Sequence, residues 1–173
     1  METRDLVRLR LMTVEDTDKI VAWRNKDFVR RNFIYQELFT KEGHLAWIRE
    51  QVEPGHVVQF MICLADGREI GSVYFRDIDR EKGSAEYGIF IGEEEALGRG
   101  YGTAAARQAL AYGFTQLKLK KVFLRFLADN IAARKSYEHA GFRLTDRRER
   151  VTTRQGEREV RFMELEREEG KYE

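Results

Sequence analysis

The stretch Gly98-Arg99-Gly100-Tyr101-Gly102-Thr103 joins a predicted strand to an alanine-rich segment. Its three alternate glycines let the backbone turn sharply and approach a ligand without obstruction by a Cβ atom. Residues 103–110, with four alanines, predict a helix. Because the free N–H groups and the dipole at a helix N-terminus favour an anion, the stretch predicts an anion-binding turn. A plain strand-to-helix turn with convenient glycines is the alternative.

Two other kinds of phosphate-binding loop compete for this turn. A Walker A loop needs Gly-Lys-Ser/Thr at its end, and the chain has none here. The dinucleotide fingerprint G-x-G-x-x-G would place its third glycine at Thr103 and expects an early parallel βαβ unit. Asp129 could supply the acidic residue of that fingerprint. Spacing alone therefore leaves a nucleotide-dependent oxidoreductase open.

The elements around the turn predict a mixed α/β (α+β) fold with a largely antiparallel sheet. Asp66-Gly67 is a hairpin signal between two apolar runs, and Gln155-Gly156 marks a second hairpin. Strands are expected at residues 6–11, 57–65, 69–76, 84–91, 122–127, 142–150 and 159–166, and helices at 13–24, 41–53, 103–117 and 130–139. The order is strand, two helices, three strands, helix, strand, helix and two strands, which gives seven strands and four helices.

Composition restricts the classes of function. A chain of 173 residues predicts one domain, residues 1–173, and a net charge of +1 gives no general attraction to nucleic acid. The lone cysteine, Cys63, excludes an internal disulfide framework. No apolar run reaches the ~20 residues that cross a bilayer, and the charged N-terminus lacks a secretory signal. We expect a cytoplasmic protein with no membrane partner and no metal site.

A second motif lies downstream of the turn. Residues 130–142 carry the pattern Asn-x-x-Ala-x-x-x-Tyr-x-x-x-Gly-Phe. With the glycine turn, this motif resembles the GNAT acetyltransferases, in particular the branch of ribosomal-protein N-terminal, spermidine and amino-sugar N-acetyltransferases. Trp23-Arg24-Asn25 is similar to that branch too. The chain departs from the family at Leu97, where a Gln or Arg is usual, and at Glu93-Glu94-Glu95, which replaces a proline-containing bend.

The resemblance implies a GNAT-like fold and a transfer of the acetyl group from acetyl-CoA to an amine. It implies that Tyr137 protonates the departing thiolate, with a core tyrosine on the short helix as the alternative. It implies that Glu86 acts as a base through water, although Glu86 could instead be a strand glutamate paired with an arginine. It implies that Asn130 binds pantetheine, with a simple helix N-cap as the alternative. The implied cofactor-binding residues are Phe90, Ile91, Gly98, Arg99, Gly100, Tyr101, Gly102, Thr103, Asn130 and Ala133.

The acceptor amine stays open at this level. Arg24, Asn25 and Arg30 fall where the family builds its acceptor pocket, and an arginine cluster favours a carboxylate or phosphate on the acceptor. The run Glu93–Glu95 favours a polyamine or a basic peptide N-terminus instead. A catalytically silent acetyl-CoA-binding or sensing module is the alternative function. Self-association, with a homodimer as its simplest form, also stays open.

Overall fold

The computed structural model describes residues 6–170. It contains seven strands and five α-helices. The strands are β1 (Arg8–Leu11), β2 (Val58–Cys63), β3 (Glu69–Asp79), β4 (Ser84–Ile91), β5 (Lys121–Leu127), β6 (Arg143–Thr153) and β7 (Gly156–Glu166). The helices are α1 (Thr17–Asn25), α2 (Asp27–Arg30), α3 (Lys41–Trp47), α4 (Tyr101–Thr115) and α5 (Ile131–His139).

One sheet contains all seven strands, in the order β1-β2-β3-β4-β5-β7-β6. Every neighbouring pair is antiparallel except β4 and β5, which run parallel. The predicted mixed, largely antiparallel sheet is therefore confirmed. The short helix α2 was not predicted, because four residues are too few for a periodic apolar pattern.

The two faces of the sheet bury different residues, as the alternation along β2 shows. Phe60 and Ile62 pack in the core with α4, whereas Met61 and Cys63 pack with α1 on the other face. Trp23, only 2% exposed, is the large α1 side chain of that second core. Full burial of such a side chain stabilises the fold by about 1.5–3 kcal/mol. The sheet is thus covered by α4 on one face and by α1 and α3 on the other.

Side-chain caps begin the first helices. Thr13 and Asp16 form a reciprocal capping box, which starts a single 3₁₀ turn, Val14–Asp16, before α1. The Thr40 side chain accepts from the N–H of Gly43 and starts α3, which widens into a π turn over Ile48–Val52. The predicted first helix therefore begins as a 3₁₀ turn, because the capping box lies four residues before α1.

The closing hairpin is longer than expected. Strands β6 and β7 extend to the turn at Gly156, so the mainly polar residues 151–158 belong to strands or to their turn. Cross-strand pairs of opposite charge, Arg148 with Glu159 and Arg150 with Glu157, lie on this exposed hairpin. Hydropathy underestimated these strands because their side chains face water and each other. No helix within residues 6–170 has the length and apolar character needed to cross a membrane.

Candidate active site

The parallel strands β4 and β5 separate halfway along their length. They pair only at Ser84–Glu86 with Lys121–Phe123, although β4 runs on to Ile91 and β5 to Leu127. Beyond Glu86, the β4 backbone is paired with β3 alone. Because alternate backbone groups of a strand point to opposite edges, some N–H and C=O groups of residues 87–91 face the gap. An extended ligand can hydrogen-bond there as an additional strand does.

A cavity of about 1260 Å³ occupies this gap and continues toward α1 and α3. That volume exceeds the 300–1,000 Å³ of an ordinary ligand pocket. All the predicted catalytic and cofactor-binding residues line it, and Arg24 does as well. Asn25 and Arg30 are not among the lining residues. Folding therefore brings together groups that are more than 100 residues apart in sequence.

The glycine turn forms one end of the cavity. Gly98 and Gly100 have φ of 71° and 83°, a left-handed region that side chains disfavour. Gly100 is the N-cap of α4, which begins at Tyr101, two residues earlier than expected. Within residues 6–170, the first bond onto this turn is from Ala104 N to Gly100 O, so the N–H groups of Tyr101, Gly102 and Thr103 have no intrahelical acceptor. These donors suit an anion.

The side chain of Arg99 lies across the turn rather than into it. Its Nε donates to the main-chain oxygen of Glu95 at 2.7 Å. Leu97, at the position where the family usually has Gln or Arg, is 47% exposed. The polar groups that the turn offers are therefore mainly backbone amides.

Tyr137, on α5, lies in an aromatic cluster beside the gap. Its ring centroid is 6.1 Å from that of Phe126, 6.2 Å from that of Phe142 and 6.4 Å from that of Tyr87. Burial raises the pKa of Tyr137 above the ordinary value for a phenol, with a further contribution from Tyr74. The hydroxyl is therefore protonated at neutral pH and can donate.

Asn130 is the N-cap of α5. Its Oδ1 accepts from the N–H of Ala133 at 3.2 Å, which is the helix-cap alternative. The side-chain amide remains beside the cavity. Pantetheine binding by Asn130 and Ala133 stays a prediction, and it is compatible with the helix cap.

Glu86 is a buried carboxylate held by two arginines. Its Oε2 accepts from Nε of Arg76 at 2.6 Å, and its Oε1 accepts from Nε of Arg125 at 2.9 Å. Burial disfavours the charge of Arg76, but Glu86 outweighs it and raises the pKa of the guanidinium. These contacts match the alternative given above, in which Glu86 is a strand glutamate paired with an arginine. A base role for Glu86 stays a prediction, and it requires the carboxylate to weaken an arginine contact.

The segment between α2 and α3 forms a wall of the cavity, and Asn25 and Arg30 bind it. Asn25 exchanges two hydrogen bonds with the main chain of Phe39, at 2.7 and 2.9 Å. Arg30 Nε donates to the Gln36 main-chain oxygen at 2.5 Å. Both side chains thus hold the wall, and direct acceptor contact for them stays a prediction.

Gln36 joins this wall to the closing hairpin, a role that the sequence did not indicate. Its Nε2 donates to the Gln155 side chain at 2.9 Å, and its Oε1 accepts from the N–H of Arg154 at 3.0 Å. Gln36 is buried, at 5% exposed. A lone polar residue in an irregular segment gives no periodic signal, so only the fold reveals this contact.

Arg24 points into the cavity between two aromatic rings. Its Cζ lies 3.5 Å from the Phe33 ring centroid and 4.2 Å from that of Phe39. Burial lowers the pKa of Arg24 to about 10, so the guanidinium is charged at neutral pH. The cation–π contacts with these rings stabilise that charge.

His44, on α3, is a further lining residue that the sequence did not indicate. It is 5% exposed, and its Nδ1 lies 3.0 Å from Thr17 Oγ1. Burial, followed by the charge of Arg24, lowers the pKa of His44. The imidazole is therefore neutral at pH 7.

Glu93 lies outside the cavity. Trp23 Nε1 donates to its Oε1 at 2.8 Å and thereby lowers the pKa of the carboxyl group, with Lys26 also in contact. None of Glu93, Glu94 and Glu95 is among the cavity-lining residues. The glutamate run instead lines a second, smaller pocket together with Lys26 and Arg31. Residues 6–170 contain no cluster of three metal-ligating side chains.

Comparison with known proteins identifies the family. The family model described as "Acetyltransferase (GNAT) domain" matches residues 7–143. The chain belongs to the GNAT acetyltransferase family. It is 32% identical to the spermidine N(1)-acetyltransferase of Escherichia coli K12 over 146 residues, 82% of this chain and 75% of that protein. It is 25% identical over 142 residues to a putative ribosomal N-acetyltransferase of Bacillus subtilis, 82% of this chain and 74% of that protein.

Solved structures share the GNAT fold. The spermidine N-acetyltransferase of Vibrio cholerae in complex with CoA and spermine aligns with a TM-score of 0.86 and 23% identity, over 93% of this chain and 95% of that chain. The predicted resemblance and fold are thus confirmed. The protein is an acetyl-CoA-dependent N-acetyltransferase that acts on an amine, and this decides against the dinucleotide-dependent oxidoreductase.

Proposed function

We propose that this GNAT enzyme transfers the acetyl group directly to a primary amine within the cavity between β4 and β5. The observation that carries the proposal is that one cavity is lined by the glycine turn, the separated β4 backbone and Tyr137. Cys63, the last residue of β2, packs in the core against α1 and does not line the cavity. Direct attack by the amine therefore needs no acetylated cysteine.

Backbone groups supply most of the acetyl-CoA contacts in this proposal. The N–H groups of residues 98–103 bind the pyrophosphate at the N-terminus of α4, with Arg99 adding charge beside it. The main chain of Phe90 and Ile91 binds the pantetheine arm along the free edge of β4, and Asn130 and Ala133 border it. One β4 N–H polarises the thioester carbonyl and then stabilises the oxyanion.

Tyr137 acts on the leaving group. The amine attacks the thioester carbon, the C–S bond breaks, and the Tyr137 hydroxyl gives its proton to the sulfur, which leaves as the CoA thiol. The position of Tyr137 on the cavity supports this role, and its phenol is protonated at neutral pH because burial raises its pKa. The tyrosinate recovers a proton from the amine or from water.

Removal of a proton from the amine precedes its attack on the thioester. A free alkylamine has a pKa near ~10.4, so the attacking form must first lose a proton. Glu86 can accept it through water only while an arginine contact is weakened. We therefore favour Glu86 as a positioning residue for Arg76 and Arg125, with solvent as the proton acceptor.

The acceptor class is tested by release of the CoA thiol. The relatives' names point to spermidine and to ribosomal proteins as acceptors, and amino sugars belong to the same branch. Purified protein is given acetyl-CoA with spermidine, peptides and amino sugars. We expect thiol release with at least one primary amine. Acetyl-CoA binding without release on any amine would favour the silent module, and failure to bind acetyl-CoA would remove the proposal.

We infer that the chain also self-associates, with the number of copies open beyond the homodimer considered from sequence. The support is that another spermidine N-acetyltransferase structure from Vibrio cholerae is dodecameric. Light scattering of the purified protein measures the assembly directly. A single species at 20.4 kDa would contradict self-association.

A further inference from the structure

Arg24 carries a charged guanidinium group that is not paired with any described carboxylate. Within residues 6–170, no carboxylate forms an ion pair with it, and its buried Nε has no hydrogen-bond acceptor. The rings of Phe33 and Phe39 cover its faces, but they do not accept its in-plane N–H groups. A buried donor without a partner is costly, and an oxygen atom of a ligand in the cavity would remove that cost.

The remaining charges of the acceptor half exclude a polycation as the preferred partner. Among the described lining residues, Glu86 is the only carboxylate. Both of its oxygens already accept from arginines, Arg76 and Arg125. Three guanidinium groups and one engaged carboxylate therefore surround the space where the acceptor binds, and each additional ammonium group on the acceptor is repelled.

Arg24 lies close to the strand that holds the pantetheine arm in the proposed transfer. Its Cζ lies 5.6 Å from the Phe90 ring centroid, and Phe90 belongs to that β4 segment. A small acceptor can therefore place an anion on Arg24 while its amine reaches a thioester along this segment. The rings of Phe33 and Phe39 provide an apolar passage for the carbons between them.

We propose that the acceptor is a small amine that carries a compact oxyanion, a carboxylate or a phosphate, and that Arg24 binds this oxyanion. The proposal rests on the acetyl transfer proposed above. Arg24 is then a specificity-determining residue, and the planar guanidinium binds the two oxygens of the anion side by side. Spermidine, which carries only positive charges, is a poor acceptor for this chain.

Matched amines test this proposal by binding, independently of turnover. Calorimetry measures the Kd of each amine for the CoA-bound protein, using an amino acid against its carboxamide, glucosamine 6-phosphate against glucosamine, and spermidine. We expect the member of at least one pair that carries the oxyanion to bind about 10-fold or more tightly than its analogue without the oxyanion and than spermidine. The first pair reports a carboxylate and the second a phosphate. Equal binding by the analogues without an oxyanion, or by spermidine, would overturn the proposal.

Variants of Arg24 provide the second arm. Arg24→Gln is expected to weaken the anionic amine about 10- to 100-fold while the Kd of acetyl-CoA changes less than threefold, and Arg24→Lys to recover part of the loss. The control is Arg31→Gln, which removes the same charge from an exposed side chain just after α2, outside the cavity. If Arg24→Gln has a much lower thermal midpoint than the wild type, the Arg24→Lys variant and the matched amines on the wild-type protein still test the proposal. Equal loss in both glutamine variants would refute a direct contact. Anion-selective binding without thiol release would instead remove the proposed transfer.

Discussion

Replacement of Tyr137 by phenylalanine isolates the proton donated to the departing thiolate. Among residues 6–170, no side chain or main-chain group forms a hydrogen bond with the Tyr137 hydroxyl, and the ring packs on Phe126 and Phe142. The substitution therefore keeps the aromatic contacts, and we expect the free energy of unfolding to change by less than about 1 kcal/mol. A positioned general acid contributes about 10²–10⁴ in rate. We expect kcat to fall about 100-fold or more, which corresponds to about 2.7 kcal/mol of barrier.

The assay is thiol release at saturating acetyl-CoA, with the thermal midpoint as a check on folding. Tyr87→Phe is the matched control, because the buried Tyr87 hydroxyl has no hydrogen-bond partner in the described part of the chain and burial raises its pKa strongly. That variant is expected to retain wild-type kcat and to be as stable or more so. The reasoning is refuted if Tyr137→Phe retains kcat within twofold, or if Tyr87→Phe loses as much activity as Tyr137→Phe.

Three further predictions concern the walls of the cavity. Glu86→Gln leaves Arg76 and Arg125 without their carboxylate, so the free energy of unfolding should fall by about 2–3 kcal/mol in thermal melts. If the kcat–pH profile of this variant keeps its shape, Glu86 is a positioning residue; if the profile loses its acidic limb, Glu86 is a base. Gln36→Ala removes hydrogen bonds worth about 1 kcal/mol each and should raise KM for the amine several-fold with KM for acetyl-CoA unchanged, whereas equal changes in both would place the effect elsewhere. The pKa of His44 is lowered in the folded protein, first by burial and then by Arg24, so the unfolded chain takes up its proton first and stability is lost as pH falls below about 6.5. His44→Gln should flatten the wild-type decrease in thermal midpoint between pH 7 and 5.5, and an unchanged decrease would contradict this assignment.

The order of elements and the two motifs could be predicted from the sequence because each depends on local signals. The Asp66-Gly67 turn, the start of α3 at Lys41 and the strand Ser84–Ile91 lie where the pattern indicated. Boundaries moved where tertiary contacts decide them. Strand β3 continues to Asp79, beyond the expected residue 76. Its pairing with β4 is interrupted after Arg76 and resumes where Asp79 pairs with Ser84.

The acceptor half of the cavity could not be predicted, because its contacts join segments that have no pattern of their own. Arg24 was a candidate by position, but its cage of Phe33 and Phe39 depends on how the segment after α2 folds back. Glu93 was read as a possible partner for a cationic acceptor, whereas Trp23 binds it away from the cavity. Tertiary packing decides which charged side chains surround the acceptor, so their spacing along the chain cannot predict the sign of that charge.

Calorimetric titration of acetyl-CoA into three proteins tests the central claim that the glycine turn binds the pyrophosphate. Gly98 and Gly156 both have positive φ, 71° and 95°, and an added methyl group meets no described atom within 4 Å at either. Alanine at either position therefore costs about 1–2 kcal/mol of backbone strain, and only position 98 borders the cavity. We predict one acetyl-CoA per wild-type chain, binding about 10-fold or more weaker in Gly98→Ala, and binding within twofold of wild type in Gly156→Ala. No binding to the wild-type protein, or the same Kd in all three proteins, would contradict the account.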